Sequence, residues 1–146
     1  MSGFEFAETM AGSYRLLDAP ADDRAMSFTI RARSGSWLSF LRDPTVEIEG
    51  EVDALGFADH QHLRGTLGMD LVRKRKLSYA FRFVANDGTA HAFVGEKILK
   101  PPFAEAMTVL PGVIRDAAGR TIADALLRFD LRSDLARFMK SFRRSA

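Results

Sequence analysis

Leu77-Ser78-Tyr79-Ala80-Phe81-Arg82-Phe83-Val84, the turn Asn86-Asp87-Gly88, and Ala90-His91-Ala92-Phe93-Val94-Gly95-Glu96-Lys97-Ile98 decide the fold. Leu77, Tyr79, Phe81 and Phe83 share one parity and Ser78, Ala80, Arg82 and Val84 the other, the period of two of a β-strand. A glycine-containing turn returns a second alternating segment, so the two arms read as a β-hairpin with one aromatic face. With a three-residue loop and Gly88 left-handed, Phe83 faces His91, Phe81 faces Phe93, Tyr79 faces Gly95 and Leu77 faces Lys97. With a two-residue Asp87-Gly88 turn, Ala92, Val94, Glu96 and Ile98 take those places. The first register is preferred, because a ring over a cross-strand glycine and a direct Phe81 to Phe93 pair are both favourable.

Other strands flank this hairpin. Phe4 to Leu17 is extended, with Phe4, Phe6, Glu8, Met10, Gly12 and Tyr14 on one parity. The turn residues 18–23 lead into Met26 to Arg33, and these two strands are expected to pair. Ser34-Gly35-Ser36 supplies a cap for a short amphipathic helix near 36–42, ended by Asp43-Pro44 because proline removes a hydrogen-bond donor. Thr45 to Val52 turns Val46, Ile48, Gly50 and Val52 one way and Glu47, Glu49 and Glu51 the other. Three carboxylates two residues apart read as a solvated face, since a hard cation needs oxygens converging from several segments.

Leu63 to Val72 forms a fourth strand, in which Gly65 and Gly68 suggest a bulge or bend that curls the sheet. Met107 to Arg115 and Thr121 to Phe129 make a further hairpin, with Pro111-Gly112 marking an edge or bulge. Ser133 caps a helix near 133–143 in which Leu135, Phe138, Met139 and Phe142 form one stripe. The fold expected is mainly β: a single domain over 1–146, an antiparallel curved sheet or up-and-down β-barrel of the lipocalin or calycin type.

Composition narrows the function classes. The 146 residues suffice for one core, and a hydrophobic fraction of 47% excludes a disordered chain. Cysteine is absent, which removes disulfides and thiol chemistry. No apolar run approaches the length of a membrane-spanning helix, and Met1 to Phe6 lacks the features of a secretory signal, so a cytoplasmic location is the default expectation. A net charge of +2 is far below that of a dedicated nucleic-acid binder. The one dense basic run, Arg73-Lys74-Arg75-Lys76, reads as a solvated corner.

Phe6-Ala7-Glu8-Thr9-Met10-Ala11-Gly12, the Trp37 to Pro44 helix ending in Arg-Asp-Pro, Ile48-Glu49-Gly50, and Tyr79-Ala80-Phe81-Arg82-Phe83 followed by Gly95-Glu96-Lys97 share a pattern with a known family. Together with Leu126-Leu127-Arg128-Phe129 and Asp134-Leu135-Ala136-Arg137-Phe138, they resemble a non-catalytic accessory β domain. That domain accompanies cholesterol-oxidase-like flavoproteins of the glucose-methanol-choline oxidoreductase type. The resemblance implies a stand-alone lipid-associated β domain with an oxidoreductase partner, and no chemistry of its own. Glu96 departs from the pattern, which has an aromatic there. Glu105-Ala106-Met107-Thr108 departs as well, lacking a threonine-rich run. No Gly-x-Gly-x-x-Gly follows a strand, so no flavin-binding unit is present in this sequence.

No catalytic constellation stands out. Ser36 reads as a helix cap rather than a nucleophile, and none of the three histidines is spaced to serve it. His60-Gln61-His62 reads as a loop, and two imidazoles alone make no metal site. The expected function is therefore non-catalytic, with no cofactor: binding of a lipid- or sterol-like molecule inside the barrel. Its walls are expected from Met10, Tyr14, Trp37, Phe40, Tyr79, Phe81, Phe93 and Met107, and its orienting polar groups from Tyr79, Arg82, His91 or Lys97. The alternative expectation is a protein-interaction or oligomerisation domain, using the basic, amphipathic tail helix.

Overall fold

The computed structural model describes residues 3–100, 109–129 and 143–145, the last by backbone alone. The elements are β1 (Gly3–Leu16), β2 (Arg24–Arg33), α1 (Trp37–Arg42), β3 (Thr45–Ala54), β4 (Ala58–Asp70), β5 (Lys76–Val84), β6 (Ala90–Ile98), β7 (Val109–Asp116), β8 (Thr121–Arg128) and β9 (Arg143–Ser145). Strands β2 to β8 follow one another in sheet order. β1 closes the circle by pairing with β2 from Glu5–Arg33 to Tyr14–Arg24 and with β8 from Ala11–Arg128 to Leu16–Ala123. The result is the expected up-and-down antiparallel barrel of eight strands. The short β9 adds Ser145, Arg144 and Arg143 alongside Gly3, Phe4 and Glu5.

The central hairpin adopts the preferred register, with Phe83 opposite His91, Phe81 opposite Phe93, Tyr79 opposite Gly95 and Leu77 opposite Lys97. Gly88 sits at φ +86°, where a side chain would be strained, and closes the Asn86-Asp87-Gly88 loop by donating to the Ala85 carbonyl at 2.9 Å. The aromatic parity faces inward. Phe28, Phe81 and Phe93 meet at centroid separations of 5.0–5.8 Å, each at most 2% exposed. Gly112 makes room for them, since a Cβ there would stand 2.5 Å from the Phe93 ring.

Several local expectations are corrected. β4 begins at Ala58, so His60, Gln61 and His62 lie in a strand rather than a loop. The shift in β3–β4 pairing falls between Val52 and Ala54, beside His60 at φ 50°, while Gly65 and Gly68 stay in unbroken register. Gly65 serves instead as a close approach, because a Cβ there would run into the Ala80 backbone on β5. Pro111 stands where β6 pairing, which ends at Gly95–Gly112, has stopped, so its missing N–H breaks no ladder on that side. Of the helix expected near 133–143, residues 133–142 lie outside the described residues. Arg143 belongs to β9 and pairs opposite Glu5, where a strand edge is available to it.

The barrel has two unlike ends. At one lie the β1–β2, β3–β4, β5–β6 and β7–β8 turns. At the other lie the connections after β4 and after β2, the latter carrying α1. Its cap is the expected one: the Ser36 hydroxyl accepts from the Ser39 N–H at 3.2 Å. Trp37 and Phe40 lay their rings on Phe4 at 5.0 and 5.1 Å, which anchors this helix to the rim.

Candidate functional site

One polar cluster interrupts the apolar interior. Glu8 on β1 shares the inward parity of Phe4, Phe6, Met10 and Tyr14, and strand alternation therefore turns its carboxylate into the barrel. Tyr79 on β5 and Lys97 on β6 point inward by the same rule, from the far side of the sheet order. The Tyr79 hydroxyl donates to Glu8 Oε1 at 2.7 Å, and Lys97 Nζ approaches Glu8 Oε2 at 3.4 Å. The ammonium also lies 5.3 Å from the centroid of the Tyr79 ring, a cation–π contact. The Lys97 side chain is 1% exposed and that of Glu8 9%.

Lysine and glutamate are almost never buried unless paired, because each ion loses several kcal/mol of hydration, on the order of magnitude known for buried ions. Here each supplies the other's counter-charge, and the tyrosine supplies a strong second hydrogen bond. The pairing is incomplete on the lysine side. An ammonium carries three N–H donors, and among the described residues only Glu8, at a long 3.4 Å, accepts from Lys97.

Burial, and after it the neighbouring Glu8 carboxylate, holds the Tyr79 phenol well above its usual ionisation range. The folded state therefore keeps the proton, whereas the unfolded chain releases it above about pH 10. This raised value stabilises the fold fully below the unfolded value and loses that contribution as pH climbs past it. Tyr79→Phe is expected to lower stability at neutral pH by about 1.5–3 kcal/mol, the range for a hydrogen bond to a charged group. Its deficit against the parent should shrink above about pH 10. Urea midpoints on both sides of that pH check this, and a constant deficit would show that the phenol ionises freely in the fold.

The expected wall residues divide into groups. Met10, Phe81 and Phe93 join Phe28 in the close-packed core beside Tyr79, whose ring is 6.1 Å from that of Phe28. Tyr14 is buried towards the tight-turn end, where its hydroxyl donates to the Leu55 carbonyl at 2.6 Å. His91 lies at that end too, against Phe57 and Phe83, with Nδ1 3.1 Å from the Thr89 carbonyl. Arg82 faces solvent on the opposite parity, so it orients nothing inside the barrel. Trp37 is 45% exposed on the rim and Phe40 partly buried there, so both cap the end rather than line the interior. Met107 lies outside the described residues. Glu8 was not among the expected orienting groups, although its signal was present as a lone carboxylate on an apolar parity.

A concavity of about 830 Å³ on the outer surface crosses β1 to β4. It is edged by cross-strand ion pairs, Arg33–Glu5 and Arg64–Glu49, in which the Arg64 hydrogen bond holds Glu49 below the usual carboxylate range. These charges already satisfy one another. Among the described residues no group of His, Asp and Glu is placed to hold a metal ion. Lys97, Glu8 and Tyr79 are thus the best-defined site, a charge-balanced polar point between the Phe28-Phe81-Phe93 rings and the Phe4-Phe6 pair. Compared with family models, curated proteins and solved structures, the chain finds no match in any of the three.

Proposed function

We propose that this barrel is a non-catalytic binding module for a hydrophobic molecule bearing one uncharged oxygen, such as a sterol or long-chain alcohol. The observation that carries the reading is the buried Lys97–Glu8–Tyr79 cluster, whose long ion pair leaves ammonium donors without an acceptor among the described residues. A ligand hydroxyl accepts from Lys97 Nζ while its apolar body replaces side chains on the Phe6 and Leu77 side, where each is 6% exposed. Charge balance selects the ligand class. The Lys97–Glu8 pair is already neutral, so a carboxylate would bring an uncompensated charge into a low-dielectric interior, whereas a hydroxyl brings none. Phe28, Phe81 and Phe93 then act as a fixed floor rather than as ligand contacts. The resemblance to the accessory domain of cholesterol-oxidase-like flavoproteins supports an oxidoreductase as the partner such a module serves.

Native mass spectrometry of protein from its own cells tests the reading, together with titration by hexadecan-1-ol and by hexadecanoate. A retained hydrophobic adduct is expected, with the alcohol binding more tightly than the acid. Lys97→Met should weaken the alcohol at least about tenfold, the equivalent of one hydrogen bond to a charged group. No adduct under mild ionisation and no alcohol binding would overturn the proposal, as would equal binding by Lys97→Met.

A further inference from the structure

The rim around α1 carries an apolar and basic surface that the barrel itself does not use. Leu38, Leu41, Leu71 and Val72 are 52%, 76%, 51% and 82% exposed, and Trp37 joins them at 45%. They belong to α1 and to the β4–β5 connection, which the fold brings to one place. Thr45, just after the helix, pairs opposite Gly68 near the end of β4, and the Met69 N–H donates to the Pro44 carbonyl at 2.6 Å. Scattered exposed leucines are ordinary, but five large apolar side chains on one rim mark an interaction surface.

The charges beside them are mainly basic. Arg42, Arg73, Lys74, Arg75 and Lys100 are exposed and form no ion pair among the described residues. The nearby carboxylates are fewer and locally engaged, and Glu96 pairs with Lys76 at 3.1 Å. Asp70 accepts the N–H groups of Arg73 and Lys74 at 3.0 and 3.2 Å, and Asp43 accepts from the Thr45 hydroxyl at 2.8 Å. Arg75 takes the left-handed conformation at φ 50°, and its carbonyl is held by the Leu99 N–H at 2.8 Å, which fixes the basic corner beside the leucines.

We propose that this rim docks on an anionic phospholipid surface. Tryptophan and leucine side chains enter the headgroup boundary while the basic ring meets the lipid phosphates, the arrangement that favours peripheral binding to an anionic leaflet. Each basic residue near such a surface strengthens the attraction by about fivefold. The docking stands apart from the ligand reading, because it requires no bound molecule.

The test is co-sedimentation with vesicles of phosphatidylcholine plus phosphatidylserine against vesicles of phosphatidylcholine alone, with emission from the single tryptophan, Trp37, followed in parallel. Binding is expected to the mixed vesicles, with a blue shift of Trp37, and to be weakened by salt. Arg73→Glu with Lys74→Glu should weaken it at least about tenfold, as should Leu41→Asp with Val72→Asp. All four positions are exposed, so thermal melting should stay near the parent. If one pair fails to fold, the other still decides. Equal binding to neutral vesicles, no binding to either, or charge-reversed protein that binds unchanged would each overturn the proposal. Self-association in lipid-free sedimentation that Leu41→Asp abolishes would also overturn it, by assigning the surface to a second copy of the chain.

Discussion

Glu8→Gln is expected to destabilise the barrel by about 3–5 kcal/mol, the range for removing one partner of a buried ion pair. The glutamine amide can still accept from Tyr79, but it leaves the Lys97 ammonium, 1% exposed, without a counter-charge. The loss is therefore much larger than that of a surface pair such as Arg33–Glu5, whose arginine is 74% exposed and whose kind contributes about 0–1 kcal/mol. Glu8→Gln combined with Lys97→Met should recover most of the stability, because the double change removes the orphaned charge and fills its volume with an apolar chain. Urea unfolding of the two single variants and the double variant measures the coupling. A Glu8→Gln change within about 1 kcal/mol of the parent would mean that water reaches the pair, and the charge-balance argument for ligand class would fall with it.

Phe93→Ala is the second large effect, at about 3–5 kcal/mol, the usual range for deleting a buried ring. Phe93 is fully buried with ring centroids 5.8 and 5.0 Å from Phe28 and Phe81, and Gly112 at the tip of its ring has no side chain with which to fill the space. Relaxation of the site is thereby limited, which places the loss in the upper part of that range. Phe93→Leu should recover part of it. The comparison also separates floor from ligand contact: Phe81→Leu and Phe93→Leu should lower the melting temperature while leaving alcohol affinity nearly unchanged. An affinity loss as large as that of Lys97→Met would place the ligand among these rings instead.

The strand parities carried most of the architecture. An aromatic row on Leu77, Tyr79, Phe81 and Phe83 needs cover, and a barrel supplies it, so pattern and pairing agree. The hairpin register was legible because only one of two loop lengths puts Phe81 against Phe93 and Tyr79 against Gly95. Closure itself was not local information. It depends on β1 being long enough to pair with β2 along one part and β8 along another, which no window of sequence displays. His60 to His62 read as a loop because glycine and acidic neighbours mimic turn chemistry, whereas tertiary pairing to β3 extends the strand through them.

The site was half legible. Tyr79 and Lys97 follow from alternation once the register is set. Glu8 was visible on the same parity as Phe6 and Met10, but its role depends on meeting residues 71 and 89 positions away, and strand patterns specify a face rather than a partner. Trp37 and Phe40 looked like lumen residues because they are large and apolar. The helix that carries them sits across the rim, where rings pack on Phe4 from outside.

The most direct measurement is heteronuclear NMR of the Lys97 side chain, whose buried ammonium protons are expected to exchange slowly enough to be seen. On titration with hexadecan-1-ol the Lys97 Nζ resonance should move with the binding curve and show cross-peaks to the alcohol's terminal methylene. A bound alcohol that leaves Lys97 Nζ unmoved, with contacts elsewhere on the protein, would contradict a ligand held at the Glu8–Tyr79–Lys97 cluster.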